Sequence, residues 1–137
     1  MKNKIEIALS RFDSGGNCAQ SVLTAYSQQC NYKLEDVLAI SSGFGGGMGS
    51  MQHTCGAVTG AFMVLGCLTN KDNNEINKSI QKFSKIFINE LGSLDCGQLT
   101  GCDFSTTEGI TKFTNKNIRE KVCHKCISKS IEIIDSL

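Results

Sequence analysis

Apolar residues recur along most of this chain at intervals of three and four positions, the spacing that places them on one face of an α-helix. The pattern predicts helices over about 3–12, 18–27, 33–44, 55–68, 73–91 and 115–136. The residues expected to face inward are Ile5, Leu9, Phe12, Val22, Leu23, Tyr26, Leu34, Val37, Leu38, Phe44, Ile76, Ile80, Phe83, Phe87, Leu91, Ile118, Val122, Ile127 and Ile131. No alternating run is long enough to predict a strand, so the sequence predicts an all-α fold.

Glycine clusters separate the predicted helices. The segments "GFGGGMGS" (43–50) and "CGQLTGCDFS" (96–105) are too rich in glycine for a helix interior, so both are predicted to be connecting loops. The first has the glycines of a phosphate-binding loop, but it lacks the following Lys and Ser or Thr and has no strand before it. Nucleotide binding is therefore not favoured.

Length and composition favour a single soluble globular domain over residues 1–137. Charges of both signs are interspersed and the net charge is +1, so nucleic acid is not an expected partner. The longest apolar run, residues 57–68, is too short to span a membrane. The segment 1–14 has the pattern of an amphipathic helix and lacks the apolar core of a signal peptide, so a cytoplasmic protein is expected.

The eight cysteines change this picture, because stable disulfides are rare in a reducing cytoplasm and clustered cysteines there indicate metal or redox chemistry. Cys18 and Cys55 each follow a glycine-rich stretch at the predicted start of a helix. Unpaired N–H groups at a helix start lower the pKa of a thiol, and the thiolate attacks disulfides and binds soft metals. Alternatively, each of the two could be a small hydrophobic residue of the core. The occurrence of two cysteines in the same setting favours a functional role.

Four more cysteines lie in the last third of the chain. Cys96 and Cys102 share a glycine-flanked segment, and Cys123 and Cys126 form a C-x-x-C in the last predicted helix. A C-x-x-C on a helix places two thiols on one face about a turn apart, as in a metal half-site or a dithiol. Ile127 stands where a c-type haem site needs histidine, and no thioredoxin-like strand precedes the pair.

Cys30 and Cys67 each follow a helix-starting cysteine by twelve positions. Along a continuous helix, at about 1.5 Å per residue, that spacing separates the thiols by about 18 Å, so the second cannot share a site with the first. Cys67 is expected to be a core residue, and Cys30 is expected to take no part in the chemistry of the site. One cysteine from each of four segments remains, a set that suits an iron–sulfur cluster or zinc: Cys18, Cys55, Cys96 and Cys123. His53 and His124 neighbour this set, and either could tune or replace a ligand.

Small residues follow Cys55 at positions that share a helix face, namely Gly56, Ala57, Gly60 and Ala61. Such a face lets another helix or a bulky cofactor approach the backbone closely. The backbone N–H groups of the first glycine loop could approach the sulfurs of a cluster in the same way. The candidate cofactor-binding residues are therefore Gly45, Gly46, Gly47 and Gly56.

Several segments together resemble a known family: "NCAQSVL", "FGGGMG" with "CGAVTGAFMVLG", "LGSLDCGQLTGCD", and a cysteine in a C-terminal helix. In this order, and over nearly the whole chain, they are similar to the C-GCAxxG-C-C family, small proteins to which redox activity is ascribed. The resemblance carries the family's cysteines onto Cys18, Cys55, Cys96 and Cys123, with Cys126 as the competing choice for the last. Related domains of split-Soret cytochromes hold an iron–sulfur centre, so the resemblance implies cluster binding but no particular reaction.

Three hypotheses for the function follow. The first is a small electron-transfer or electron-storage protein that holds a [2Fe–2S] or [4Fe–4S] cluster and serves an oxidoreductase partner. The second is a metal-free thiol–disulfide oxidoreductase, with Cys18 or Cys55 as the attacking thiol. The third is a zinc-binding or metallochaperone domain. A homodimer is compatible with each, and the sequence does not predict whether a substrate is turned over.

Overall fold

The computed structural model describes residues 3–69 and 72–137, and it confirms the all-α fold. The described chain forms α1 (Lys4–Asp13), α2 (Cys18–Ala25), α3 (Leu34–Ile40), α4 (Gly56–Leu68), α5 (Asn73–Leu91), α6 (Cys96–Thr100), α7 (Thr107–Asn115) and α8 (His124–Ser136). A 3-10 turn (Ser42–Phe44) follows α3, and a π-helical segment (Arg119–Cys123) leads into α8. The first two residues of the predicted amphipathic segment 1–14 lie outside the described ranges. None of the described helices has both the length and the apolar character needed to cross a membrane.

The predicted helices of the first two thirds of the chain are confirmed to within a few residues, whereas two predictions for the last third are wrong. The segment 96–105 is not entirely a loop, because its first half forms α6. No helix was predicted over 107–114, where α7 lies, and a break at Asn117 (φ +52°) separates α7 from the final helix. The Thr106 side chain accepts a hydrogen bond from the N–H of Gly109 and so starts α7, while that glycine weakens the helical pattern of the sequence.

Helices α2 and α4 run in the same direction and pack closely against each other. A Cβ at Gly56 would lie 2.9 Å from the backbone N of Ala19, and a Cβ at Gly60 would lie 3.0 Å from the carbonyl O of Ala19. Only a residue without a side chain allows the α2 backbone to come this near. The smooth face predicted along α4 therefore serves helix packing, and it brings the N-terminal ends of α2 and α4 together.

The hydrophobic core lies between α2, α4, α5 and α8. Its largest fully buried side chains include Phe12, Val22, Tyr26, Val37, Val58, Val64, Phe83, Phe87, Ile127 and Ile131. The buried hydroxyl of Tyr26 donates a 2.7 Å hydrogen bond to the carboxylate of Asp135, which fixes α2 to the end of α8. Leu34 is an exception among the predicted inward residues, since 42% of its surface is exposed.

Asn17 ties the start of α2 to the glycine loop. Its side chain accepts a 2.8 Å hydrogen bond from the N–H of Gln20, and the Gln20 side chain accepts one of 3.0 Å from the N–H of Asn17. This reciprocal capping box fixes the first turn of α2. The Asn17 amide also donates to the carbonyl of Ser42 at 3.1 Å, just before the loop. The residue after Asn17, Cys18, is thereby held against that loop.

The two glycines of α4 provide a matched test of the helix contact. We expect Gly60→Ala to lower the free energy of unfolding by about 1 kcal/mol, because the new methyl group meets the α2 backbone, which cannot rotate away. Gly66→Ala meets nothing within 4 Å, so it should raise the free energy of unfolding by about 0.8 kcal/mol through helix propensity. Urea unfolding followed by circular dichroism measures both, and equal stabilisation by the two substitutions would contradict the close approach of α2.

Candidate metal centre

Five cysteines line one cavity of about 170 Å³ at the N-terminal ends of α2 and α4. Cys18 is the first residue of α2, Cys55 directly precedes α4 and Cys96 is the first residue of α6. Cys123 ends the π-helical segment, and Cys126 lies in the first turn of α8. All five cysteines that the sequence suggested as metal ligands therefore line this five-thiol cavity.

A short antiparallel pairing of the backbone sets Cys55 beside Cys96. The N–H of Cys55 donates to the carbonyl of Leu94 at 2.7 Å, and the N–H of Cys96 donates to the carbonyl of His53 at 2.8 Å. Between these two bonds, Thr54 and Asp95 form an isolated bridge. The starts of α4 and α6, which are far apart in sequence, are thus held at the same wall of the cavity.

The C-x-x-C pair faces the cavity from a π-helical turn. Cys123 is half-buried at the end of this turn, and Cys126 is buried one helical turn later. Both side chains line the cavity, as the predicted common helix face requires. Wide π turns are uncommon and occur frequently at functional sites, because they change the direction in which side chains project.

The pKa of the Cys55 thiol lies well below its usual range. Hydrogen bonds from the Cys126 and Cys18 thiols lower this pKa, and the backbone N–H groups of Ala57 and Val58 lower it further, against the effect of burial. These N–H groups belong to the first turn of α4, and that of Val58 also donates to the carbonyl of Cys55 at 2.9 Å. The pKa of Cys55 is therefore lowered, as the helix start predicts, but the two neighbouring thiols lower it more than the helix N–H groups do.

The corresponding prediction for Cys18 is wrong. Hydrogen bonds to Cys123 and to Cys55 raise the pKa of the Cys18 thiol well above its usual value, and burial raises it further. Cys18 donates a hydrogen bond to each of these two neighbours. The pKa of Cys123 is lowered in turn, by the hydrogen bond from Cys18 and also by the charge of Arg119.

The pKa values of the other two thiols of the cavity are raised as well. Burial raises the pKa of Cys96 to about 12, and the negative charges of Cys55 and Cys123 add to this. The hydrogen bond that Cys126 donates to Cys55, together with burial, raises the pKa of Cys126. Five sulfurs in one cavity cannot all ionise, since each thiolate opposes the next. A multivalent soft cation would remove this opposition.

Arg119 is a residue of the site that the sequence analysis missed. Its guanidinium lies 3.6 Å from the centre of the Phe12 ring and donates a hydrogen bond to the Phe12 carbonyl. It lines the five-thiol cavity and places a fixed positive charge beside the thiols. The sequence contains one indication of this role. Arg119 precedes Cys123 by four positions, and residues with this spacing share a helix face.

Three of the four predicted cofactor-binding glycines line the cavity: Gly46, Gly47 and Gly56. Gly45 lies instead against Asn17, whose Cβ would be 2.8 Å from a Cβ at position 45. Gly47 has a φ of +73°, and a Cβ there would lie 2.8 Å from the Cβ of Cys96. The loop can cover Cys96 at this distance only because position 47 has no side chain.

Gln52, also missed by the sequence analysis, fixes the far end of the glycine loop. Its side-chain amide donates to the carbonyl of Cys102, and its side-chain oxygen accepts a 2.8 Å hydrogen bond from the N–H of Phe104. Cys102 itself is buried, with its thiol directed at the carbonyl of Thr100, and it does not line the cavity. The sequence offers no pattern from which this bridge could be found.

The two histidines lie outside the cavity lining. His53 is exposed, and it contributes its backbone carbonyl, not its ring, to the Cys96 hydrogen bond. The His124 ring makes a 2.8 Å hydrogen bond to the carboxylate of Asp13 and packs edge-on against Phe12. Cys30 and Cys67 are also outside the cavity, at the opposite end of α2 and α4.

The donor set of the cavity consists of sulfur alone, which is the set preferred by soft metals and iron–sulfur clusters. Among residues 3–69 and 72–137, no three His, Cys, Asp or Glu side chains are arranged to chelate one ion. The sulfurs surround a cavity instead, and glycines at its wall leave room that a Cβ would fill. The chemistry and the shape of the site fit a polynuclear sulfur-bridged centre.

Residues 16–137 match the sequence model of the family described as "Putative redox-active protein (C_GCAxxG_C_C)". The match covers most of the chain, so the chain belongs to this family, as its cysteine segments suggested. An uncharacterized protein of Archaeoglobus fulgidus is 26% identical over 132 residues, which cover 85% of this chain and 81% of the relative. No solved structure matches the chain.

Two glycines of the loop test how it covers Cys96. Gly47 and Gly49 both have positive φ, but only a Cβ at Gly47 would meet other atoms, and position 49 is open. We expect Gly47→Ala to increase the alkylation rate of Cys96 roughly tenfold, equivalent to about 1.4 kcal/mol of local opening. Gly49→Ala should leave that rate close to the wild-type value. Timed iodoacetamide labelling with peptide mass spectrometry measures both, and equal rates in the two variants would show that the loop does not press on Cys96.

Proposed function

We propose that this member of the C_GCAxxG_C_C family binds an iron–sulfur cluster in its five-thiol cavity and exchanges electrons with an oxidoreductase partner. The observation that carries the proposal is the convergence of cysteines from four separate segments on one cavity. The proposed ligands are Cys18, Cys55, Cys96 and Cys123, one from each segment. A reducing compartment such as the cytoplasm suits a chain whose eight cysteines are all free thiols.

Cys126 competes with Cys123 for the fourth ligand position. Cys126 donates a hydrogen bond to the sulfur of Cys55, so it already has a role beside a proposed ligand. Cys123 is less buried and lies beside the fixed charge of Arg119. We therefore assign ligation to Cys123, and to Cys126 a hydrogen bond that tunes the ligand sulfur.

When bound, an iron–sulfur cluster supplies one-electron transfer at a potential set by the charges, hydrogen bonds and solvent around it. The residues of this cavity provide each of these influences. The Arg119 guanidinium offsets the negative charge that reduction adds. Apolar side chains form much of the remaining wall and limit the access of water: Phe12, Leu99, Phe104, Phe113 and Val122.

A metal-free thiol–disulfide oxidoreductase is the second candidate, and one observation favours it. The Cys55 sulfur has a lowered pKa and lies in hydrogen-bonding contact with the Cys18 and Cys126 thiols. In that function the Cys55 thiolate attacks a substrate disulfide and releases one substrate thiol. A neighbouring cysteine thiolate then displaces the second substrate thiol and leaves a protein disulfide.

The deciding experiment is strictly anaerobic purification of the full-length chain after expression with ample iron. Iron, zinc and acid-labile sulfide are then quantified on the sample whose absorption spectrum is recorded. We expect a brown protein with iron and sulfide in equal amounts, and the iron content will distinguish a two-iron from a four-iron cluster.

The other outcomes of this experiment separate the rival functions. Colourless protein with one fast-reacting thiol and no metal would reject the cluster in favour of thiol–disulfide exchange. Stoichiometric zinc without sulfide would reject it in favour of a zinc-binding or metallochaperone domain.

Two cysteines of α4 and its cap test the ligand assignment. Cys55 precedes the first turn of the helix and Cys67 lies in its last turn. We expect Cys55→Ser to remove most of the bound iron and sulfide, since the hydroxyl is a poor ligand for a soft centre. Cys67→Ser should keep nearly the wild-type content. Metal analysis of the two anaerobically purified variants, with circular dichroism to verify folding, makes the comparison. Equal loss from both would disprove the assignment of Cys55 as a ligand.

A further inference from the structure

A second pair of cysteines lies at the opposite end of α2 and α4 from the five-thiol cavity. Cys30 follows the turn after α2, and Cys67 lies in the last turn of α4. The Cys67 thiol donates to the carbonyl of Cys30 at 3.6 Å, which places the two residues in direct contact. The two thiols are also near enough for Cys67 to raise the pKa of Cys30. Cys30 and Cys67 therefore contact each other directly, whereas the cysteines at the other end of the helices surround a cavity.

The parallel packing of the two helices explains this pair. Cys30 follows Cys18 by the same number of positions as Cys67 follows Cys55. Because α2 and α4 run in the same direction, the turn that follows α2 lies beside the last turn of α4. The N–H of Cys30 donates to the carbonyl of Tyr26 at 2.8 Å, which holds Cys30 in that turn. The spacing of twelve positions separates each second cysteine from its own first cysteine. The packing of α2 against α4 brings the two second cysteines together, and no pattern in the sequence predicts this meeting.

We propose that Cys30 and Cys67 form a separate redox site, which closes to an intramolecular disulfide on reaction with a low-molecular-weight disulfide and opens again with its thiol.

Access to the pair is through Cys67. Cys67 is half-buried and lines an open groove of about 550 Å³, together with Leu23, Val37 and Met63. Cys30 is only 8% exposed. A small oxidant can therefore approach the sulfur of Cys67 from the groove, whereas Cys30 is buried and does not line the groove.

The exchange proceeds in two displacements. The Cys67 thiolate attacks one sulfur of the small disulfide, breaks its S–S bond, and releases one small thiol after proton uptake. The Cys30 thiolate then attacks the Cys67 sulfur of the mixed disulfide and releases the second small thiol. Two protein thiols are oxidised, one small disulfide is reduced, and the two protons of the protein thiols end on the two released thiols.

Burial raises the pKa of Cys30 to about 12, with a further contribution from the Cys67 thiol. Cys30 is thus protected against oxidants in solution and reacts once its neighbour has become a mixed disulfide, when the intramolecular contact replaces a bimolecular encounter. This order of reaction makes the pair a disulfide-forming site, not two independent thiols.

The test uses the full-length protein as purified anaerobically, with glutathione disulfide as the probe at increasing ratio to glutathione. Free thiols are blocked with N-ethylmaleimide in denaturant, and the disulfides are mapped by mass spectrometry. Trypsin alone leaves Cys18 with Cys30 and Cys55 with Cys67, because no Lys or Arg separates either pair. Additional chymotrypsin cleaves after Tyr26 and Phe62 and distinguishes the four possible crosslinks between these two peptides.

We expect a Cys30–Cys67 crosslink in the wild-type protein, with both cysteines lost from the alkylated pool together and restored by glutathione. The crosslink should form with or without bound metal, since neither cysteine lines the five-thiol cavity. Cys30→Ser should retain one glutathione on Cys67, and Cys67→Ser should leave Cys30 unmodified. Cys102→Ser, which changes a buried thiol outside both sites, should give the wild-type crosslink.

Three results in the wild-type protein would each overturn the proposal, whether or not the variants fold. The first is a stable glutathione adduct on Cys67 without a crosslink. The second is a crosslink of Cys30 or Cys67 to another cysteine. The third is a pair that remains fully alkylatable in excess glutathione disulfide.

Discussion

The close parallel contact of α2 and α4 is the constraint on which the rest of this structure depends. Gly56 and Gly60 bring the α4 backbone onto Ala19, so the two helix starts lie side by side. Backbone N–H groups in the first turn of α4 then donate to the sulfur of Cys55, and Cys18 donates to that sulfur from α2. The other elements that line the five-thiol cavity are the glycine loop, the start of α6 and the π-helical turn.

Electrostatics set the state of the five sulfurs once they are together. Neighbouring thiolates repel each other in a buried site, and so the thiols share protons through hydrogen bonds in which Cys55 and Cys123 are the acceptors. Arg119 is the fixed cation of the cavity wall, held by stacking on Phe12. Arg119 balances only part of the negative charge that the five sulfurs would carry if they all ionised.

Periodicity and cysteine spacing were enough to predict the helices around the core and the five cysteines of the cavity. The short α6 was missed because its glycines read as a loop, and α7 was missed because Gly109 weakens its helical pattern. The error over the Cys18 pKa has a different origin, since the effect of the helix start is local whereas the thiols that reverse it come from other segments. Likewise, Gln52 and the meeting of Cys30 with Cys67 depend on how distant helices pack, which single-sequence patterns do not contain.

The spread of the cavity's cysteines along the chain has a consequence for biosynthesis. Cys18 belongs to α2 and Cys126 to α8, so the ribosome must release the chain through α8 before the cavity can close. Contacts of such high sequence separation form late and carry a large loop-closure cost, and the Tyr26–Asp135 hydrogen bond that docks α8 spans 109 positions. A nascent chain that ends before Cys126 therefore exposes an incomplete set of these thiols, and the five-thiol cavity forms only after that residue has been added.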